Sequence, residues 1–188
     1  ANSPGMTIVM VDNADEVAAM NKKYGNLYFP AVITKQTYSG MEKDNNVAAV
    51  ANLLVVNASN IDKDWDWISQ FNVSNVKMTN ISAETCLFAL QGPKSVDVLS
   101  KLVDLEKVDL RSMEYYSFKI SDIKEVKEVV ISATGYTGAG GFELYVSSDQ
   151  AETLWNLLFE AGKEYEMLPI GLGARDTLRL EMGYCLYG

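Results

Sequence analysis

The sequence predicts an α+β protein built from two ferredoxin-like, antiparallel sheet units with helices packed on one face, residues 1–82 and residues 83–188. Three observations predict it. Short β-branched runs alternate with stretches whose apolar residues recur at helical spacing, in the order βαββαβ over the first unit. The second unit again opens strand, helix, strand, around the turn Gln91-Gly92-Pro93. The 188 residues are 48% hydrophobic, enough to supply a core. The longest apolar runs nevertheless fall far short of the roughly 20 residues that cross a bilayer. The ferredoxin-like description concerns topology and implies no iron–sulfur cluster.

In the first unit, residues 6–11 are an apolar, β-branched strand. Asp12 or Asn13 caps a helix with Asp15 and Glu16 at its positive end and Val17, Met20 and Tyr24 along one side, before Gly25 stops it. Residues 27–33 are strand-like, and Pro30 confines them to an edge or an irregular segment. Tyr38-Ser39-Gly40-Met41 leads into a polar loop at 42–46, and residues 47–56 return as a strand ending at Asn57. Ser59 or Asn60 caps the next helix, which carries Asp62 and Asp64 early and Ile61, Trp65 and Ile68 on one face. A short strand at 75–81 closes the unit.

The second unit starts with a strand at 85–90. Pro93 takes the first helical position, where its missing N–H is harmless, and Val96, Leu99, Leu102 and Val103 line the buried face of that helix. Strands follow at 115–120 and 126–132, with the charged run 119–127 forming a solvated hairpin tip. After the segment Thr134-Gly135-Tyr136-Thr137-Gly138-Ala139-Gly140-Gly141 comes a strand at 142–146. Ser148 or Asp149 then caps an amphipathic helix striped by Ala151, Leu154, Trp155, Leu158 and Ala161, and Gly162 ends it. Residues 169–181 hold a last helix. Ala174, Leu178 and Met182 on one side and Leu180 opposite predict burial on two sides. Arg175 and Arg179, neighbours at i, i+4, repel each other and call for anionic partners.

Composition narrows the function. A net charge of −9, from 25 acidic and 16 scattered basic residues, lacks the electrostatic footprint of a nucleic-acid binder. With no histidine, imidazole-activated nucleophiles and most zinc sites are excluded. The carboxylate pairs at Asp15/Glu16 and Asp62/Asp64 sit in first helical turns, where the dipole explains them, so no metal is expected. Cys86 and Cys185 read as buried free thiols in a reducing compartment, which points to the cytoplasm.

Four glycines in the seven residues 135–141 indicate a close backbone approach, either in a wide hairpin or against a ligand. The segment fails both nucleotide fingerprints, since Gly141-Phe142 stands where a phosphate loop needs Lys-Ser/Thr and no Gly-x-Gly-x-x-Gly is formed. Gly171-Leu172-Gly173 fails too, with Asp176 at the third glycine. Glu143, Tyr136, Arg175, Asn57, Tyr38 and Tyr184 are then polar or amphipathic groups beside turns and strand ends, where sites collect. Each also has a structural explanation: a buried ion pair with Asp176 or another carboxylate for Arg175, and core or rim packing for Tyr136 and Tyr184.

Residues 54–64, Ala89-Leu90-Gln91-Gly92-Pro93-Lys94, 134–145 and 169–188 together resemble the T-protein of the glycine cleavage system, the tetrahydrofolate-dependent aminomethyltransferase. The resemblance is strong from Leu53 to the end and weaker over residues 5–41. It implies transfer of an aminomethyl group from the lipoyl arm of H-protein to tetrahydrofolate, giving 5,10-methylenetetrahydrofolate and ammonia, with no nucleic acid or membrane involved. It implies Glu143 as the carboxylate on the pterin ring and Arg175 as the cation for the folate's glutamyl carboxylate. Asn57, Tyr136, Tyr184 and Tyr38 become pocket-lining groups. Where the family carries a Gly-Gly-x-x-Asp-Asp loop with the catalytic aspartate, this chain has Glu42-Lys43-Asp44-Asn45-Asn46, making Asp44 the candidate catalytic carboxylate with Glu42 beside it. The chain is expected to be the central part of such a protein, without the family's leading segment or its C-terminal barrel domain. Two alternatives stay open: a non-catalytic folate-binding module, and a truncated or engineered scaffold with no activity.

Overall fold

The computed structural model describes residues 7–11, 32–33, 52–56, 58–73 and 78–186. They fall into two compact units, one within residues 1–83 and one within residues 84–187.

In the first, β1 (Thr7–Val11), β2 (Val32–Ile33), β3 (Asn52–Val56) and β4 (Met78–Asn80) form a sheet in the order β2-β3-β1-β4, with every neighbouring pair antiparallel. Thr7 lies opposite Val56 and Val11 opposite Asn52. Leu54, Val55 and Val56 are all buried, so β3 is covered on both faces, as its unbroken apolar run requires. Helix α1 (Ile61–Gln70) is entered through a 3-10 turn, Ala58–Asn60. Asn60 occupies the cap position without making a side-chain capping bond, leaving Asp62 and Asp64 in the first turn to complement the dipole. Ile68 is buried, while Ile61 and Trp65 are half-buried. The helix expected after Asp12 and the loop at 42–46 lie outside the described residues.

The second unit carries β5 (Thr85–Gln91), β6 (Phe118–Ile123), β7 (Val126–Ser132) and β8 (Gly141–Ser147) in the order β5-β8-β7-β6, again all antiparallel. The interior strand β8 divides the unit by its period of two. Phe142, Leu144 and Val146 point to one face and are 2% exposed or less. There they join Val129 and Ile131 in a core completed by Val98 and Leu99 of α2 (Ser95–Ser100) and Leu154 and Leu158 of α3 (Ala151–Gly162). Both helices therefore cover the same side of the sheet. Glu143 and Tyr145 take the opposite side.

Several local expectations change. Pro93 precedes α2 rather than opening it: the Ser95 N–H donates to the Gly92 carbonyl at 3.1 Å, closing a turn with proline at its second position, where a preset φ fits equally well. β6 starts at Phe118 and runs on to the fully buried Ile123, so the charged run 119–127 is mostly strand and its tip is Lys124 and Glu125. A pleated strand can carry charges on its open face, and Lys127 pairs with Asp122 across the hairpin at 2.7 Å. Neither Ser148 nor Asp149 caps α3. Gln150 holds that position, and its side chain accepts the Lys127 backbone N–H at 2.8 Å and donates to Ser147 Oγ at 2.8 Å, tying the helix start to the sheet.

Gly162 is the last residue of α3, packed so closely against Met167 that a Cβ would collide. The chain reverses four residues later at Glu166, in left-handed conformation with φ 55°. The largest change concerns α4 (Leu172–Glu181), which has no buried residue. Leu180 is 69% and Met182 49% exposed, because periodicity shows which sides of a helix are apolar and not whether its own unit meets them. Cys86 and Cys185 are both free, but Cys185 is exposed, so the expectation of two buried thiols holds for neither in full: Cys86 is half-buried.

Leu144 sits at the centre of this packing with no exposed surface. Leu144→Ala is expected to lower unfolding free energy by about 2–5 kcal/mol in urea titration. A loss below about 1 kcal/mol would show that β8 is not the packed centre of the sheet.

Candidate functional site

The glycine-rich segment links β7 to β8 as a wide hairpin loop, and the end of β5 clamps it. Gln91 Nε2 donates to the carbonyls of Thr134 at 3.2 Å and Phe142 at 3.1 Å, while Thr137 Oγ1 donates to Gln91 Oε1 at 3.0 Å. The Gly92 N–H reaches the Gly140 carbonyl at 2.9 Å. A Cβ at Gly135 would collide with the held Gln91 side chain. At Gly141, φ is +133° and a Cβ would strike the Leu90 carbonyl. Close packing on the Gln91 strand accounts for Gly135 and Gly141, and left-handed backbone, with φ +68° and +73°, for Gly138 and Gly140, so the density of glycine by itself requires no ligand.

Functional character lies in what the clamp presents. Glu143 is half-buried, directly opposite Ser132 in β7 and Ala89 in β5. Its Oε2 accepts the Thr134 hydroxyl at 2.5 Å and, more loosely, the Tyr145 hydroxyl at 3.4 Å. Thr134 Oγ1 also lies 2.9 Å from Ser132 Oγ. Among the described residues no cation pairs with Glu143. Burial foremost, then the charge and hydrogen bond of Glu143, push the Tyr145 phenol well above its ordinary range, so it remains a donor at neutral pH.

A second cluster stands on the loop and α4. Tyr136 and Tyr184 stack with ring centroids 5.6 Å apart, and the Tyr136 hydroxyl donates to the Cys185 carbonyl. The Arg175 guanidinium carbon lies 4.5 Å from the centre of the Tyr136 ring, a cation–π contact. Asp176 does not pair with Arg175. It pairs with Arg179 at 3.3 Å, and Arg179 also donates to the Tyr184 carbonyl at 3.2 Å. The two arginines thus separate into a structural one, Arg179, and one without a carboxylate partner among the described residues, Arg175.

Tyr115 connects the two groups. Its ring is exposed, yet its hydroxyl lies 3.4 Å from the Gly135 carbonyl, and partial burial, Tyr116, Tyr184 and Glu143 together raise its ionisation. Tyr116 adopts φ 66°, an uncommon left-handed tyrosine, and bonds through its N–H to the Ala133 carbonyl at 3.1 Å. Of the residues singled out from sequence, Glu143, Tyr136, Tyr184 and Arg175 belong to this one unit. Asn57, Tyr38 and Asp44 lie outside the described residues. Tyr115, Thr134, Tyr145 and Gln91 had not been singled out. Tyr145 had a local signal, since residues two apart on a strand share a face; Tyr115 had none, because its place depends on the β6–β7 pairing. Among the described residues no three His, Cys, Asp or Glu side chains gather to hold a metal, and no helix is long and apolar enough to cross a membrane.

Residues 17–188 match the GCVT N-terminal domain family. Over 136 residues the chain is 55% identical to the aminomethyltransferase of Flavobacterium psychrophilum, covering 72% of this chain and 37% of that protein. The aminomethyltransferases of Bacteroides fragilis and Porphyromonas gingivalis match with the same coverage at 54% and 51% identity. The chain therefore spans about 37% of the length of these relatives. In fold it is similar to a crystal structure of glycine cleavage system aminomethyltransferase T from Bartonella henselae, with a TM-score of 0.66 at 21% identity, covering 98% of this chain and 50% of the other. Heterotetrameric sarcosine oxidase from Corynebacterium sp. U-96 is a second fold neighbour, with a TM-score of 0.57 at 15% identity over 90% of this chain and 85% of that one.

The raised Tyr145 ionisation sets the sign of an alkaline effect. Its contribution to stability is fully present below about pH 10, the ordinary tyrosine value, and is lost as pH rises beyond it. Tyr145→Phe is expected to lose less melting temperature than wild type between pH 9 and pH 11. Equal losses in the two proteins would mean that this phenol is not held protonated by the fold.

Proposed function

The chain belongs to the GCVT N-terminal domain family, and on that premise we propose that it serves as part of a glycine cleavage T-protein, a tetrahydrofolate-dependent aminomethyltransferase. The proposed reaction takes an aminomethyl group from the lipoyl arm of H-protein to tetrahydrofolate, yielding 5,10-methylenetetrahydrofolate and ammonia. Lipoylated H-protein is the proposed partner and the cytoplasm the proposed setting.

One observation carries the folate reading. A half-buried carboxylate, Glu143, and a half-buried guanidinium, Arg175, each lack an opposite charge among the described residues, with tyrosines between them. That donor set fits a reduced folate. The ligand has a planar pyrimidine edge with N–H groups for a carboxylate at one end and a carboxylate for an arginine at the other. Glu143 Oε2 is already engaged by Thr134 and Tyr145, which leaves Oε1 for the pterin edge. Tyr136, Tyr184 and Tyr115 offer aromatic surface to the body of the ligand. Bound tetrahydrofolate supplies the nitrogens that take up the one-carbon unit. The chain's own residues hold and orient it.

Asp44 is the carboxylate proposed to act beside those nitrogens. The shortened segment Glu42-Lys43-Asp44-Asn45-Asn46 also favours a second reading, a folate-binding module without transfer activity. Folate-dependent ammonia release from aminomethyl-loaded H-protein, abolished in Asp44→Asn, is expected for the enzyme. Folate binding with no turnover would establish the module instead.

Glu143→Gln is expected to weaken tetrahydrofolate binding roughly tenfold or more in calorimetric titration, since a hydrogen bond to a charged group contributes about 1.5–3 kcal/mol. Equal affinity in both proteins would remove Glu143 from the pterin site. Absence of any tetrahydrofolate protection of the melting temperature would leave the inactive scaffold as the answer.

A further inference from the structure

Two hydroxyls beneath Glu143 have no part in the folate contacts just proposed. Ser132 and Thr134 are 2% and 6% exposed, and with Ser95 they are the buried polar residues among those described. A buried hydroxyl is unfavourable unless it is bonded, and both are bonded in one direction. Thr134 has a single proton, which it gives to Glu143 Oε2 at 2.5 Å. The 2.9 Å contact between Ser132 and Thr134 must then run from the Ser132 hydroxyl to Thr134 Oγ1. Ser132 in turn faces Glu143 directly in the β7–β8 register, so the chain of hydroxyls folds back on the carboxylate it serves.

We propose that Ser132 and Thr134 are positioning residues: a buried hydroxyl relay that fixes the Glu143 carboxylate on Oε2 and holds Oε1 toward the ligand. The proposal rests on the folate reading and deepens it. A glutamate has freely rotating side-chain bonds, and an unheld carboxylate would have to be ordered as ligand binds, with a corresponding loss of affinity. Tyr145 does not suffice for this, because its contact is 3.4 Å and comes from the same strand. Thr134 reaches Glu143 from the loop that Gln91 clamps, so the relay also makes site geometry depend on that clamp. Thr134 lies in the loop after β7, where no strand preference selects it, and a valine would fill much the same volume without a proton to offer Glu143.

The test is a set of tetrahydrofolate titrations on the 188-residue chain, with melting temperatures measured beside them. Thr134→Val is expected to weaken binding about tenfold and Thr134→Ser to restore it to within about threefold, with Ser132→Ala intermediate. In a Glu143→Gln background, Thr134→Val should have no further effect, because the two act as one unit. A purely structural role predicts the reverse: equal affinity in Thr134→Val and Thr134→Ser once melting temperatures are matched, or additive losses in the double variant. Either result overturns the proposal and leaves Glu143 as a ligand contact. Binding that ignores Glu143→Gln overturns the folate reading and this proposal with it.

Discussion

The second unit depends on the pleat of β8. This strand is hydrogen-bonded on both sides, by β5 and β7, so neither its register nor its facing can slip without moving a neighbour. Phe142, Leu144 and Val146 are committed to the core under α2 and α3, and the same alternation commits Glu143 and Tyr145 to the other face. A one-residue slip would bring Glu143 into the apolar core. The carboxylate is therefore positioned by the burial of its neighbours, and site and core are two consequences of one period.

Around that strand, the loop 133–140 resolves the demand for glycine without any ligand. Gln91 spends its amide on the Thr134 and Phe142 carbonyls and its carbonyl on Thr137, so the loop is held from the β5 side by side-chain bonds. What the loop then displays is chemically uneven. Among the described residues, Arg179 is absorbed by Asp176 and the Tyr184 carbonyl, Arg175 lies over an aromatic ring without a carboxylate partner, and Glu143 is met by hydroxyls alone. Charges left without counter-charges beside stacked rings are unusual for a purely structural arrangement, and they give the membership in the GCVT N-terminal domain family its local chemical content.

Much of the fold was legible from local patterns. The runs that became β1 and β7 are rich in β-branched residues, those that became β5 and β8 in aromatic and aliphatic ones, and the stripe of α3 puts Leu154, Leu158 and Ala161 in the core as its spacing indicates. Trp155, on the same stripe, is 43% exposed, because it lies at the margin and packs on Phe88 and Phe159 instead. The caps were legible less well. Ser59, Ser148 and Asp149 have the right chemistry, but each lies within a 3-10 turn that carries the helix start one or two residues onward. For the candidate site, Glu143, Tyr136, Tyr184 and Arg175 stood out as polar or amphipathic groups beside turns and strand ends before any motif resemblance, whereas nothing near Tyr115 in the chain marks it.

The sequence by itself determined the α+β class, the apolar faces of strands and helices, and the exclusion of imidazole chemistry, and it brought Glu143, Tyr136, Tyr184 and Arg175 forward as candidates. Those properties are local, set by residue type and by periods of two and 3.6. Tertiary structure decided which arginine pairs with Asp176, which hydroxyl reaches Glu143, why the glycines are needed, and that α4 buries none of its residues in its own unit. Each of those depends on atoms brought together from distant positions: Gln91 against Thr134, Tyr136 against Tyr184, Tyr115 against Gly135. A one-dimensional pattern encodes which groups are available, and the register of β5, β8 and β7 determines which of them meet.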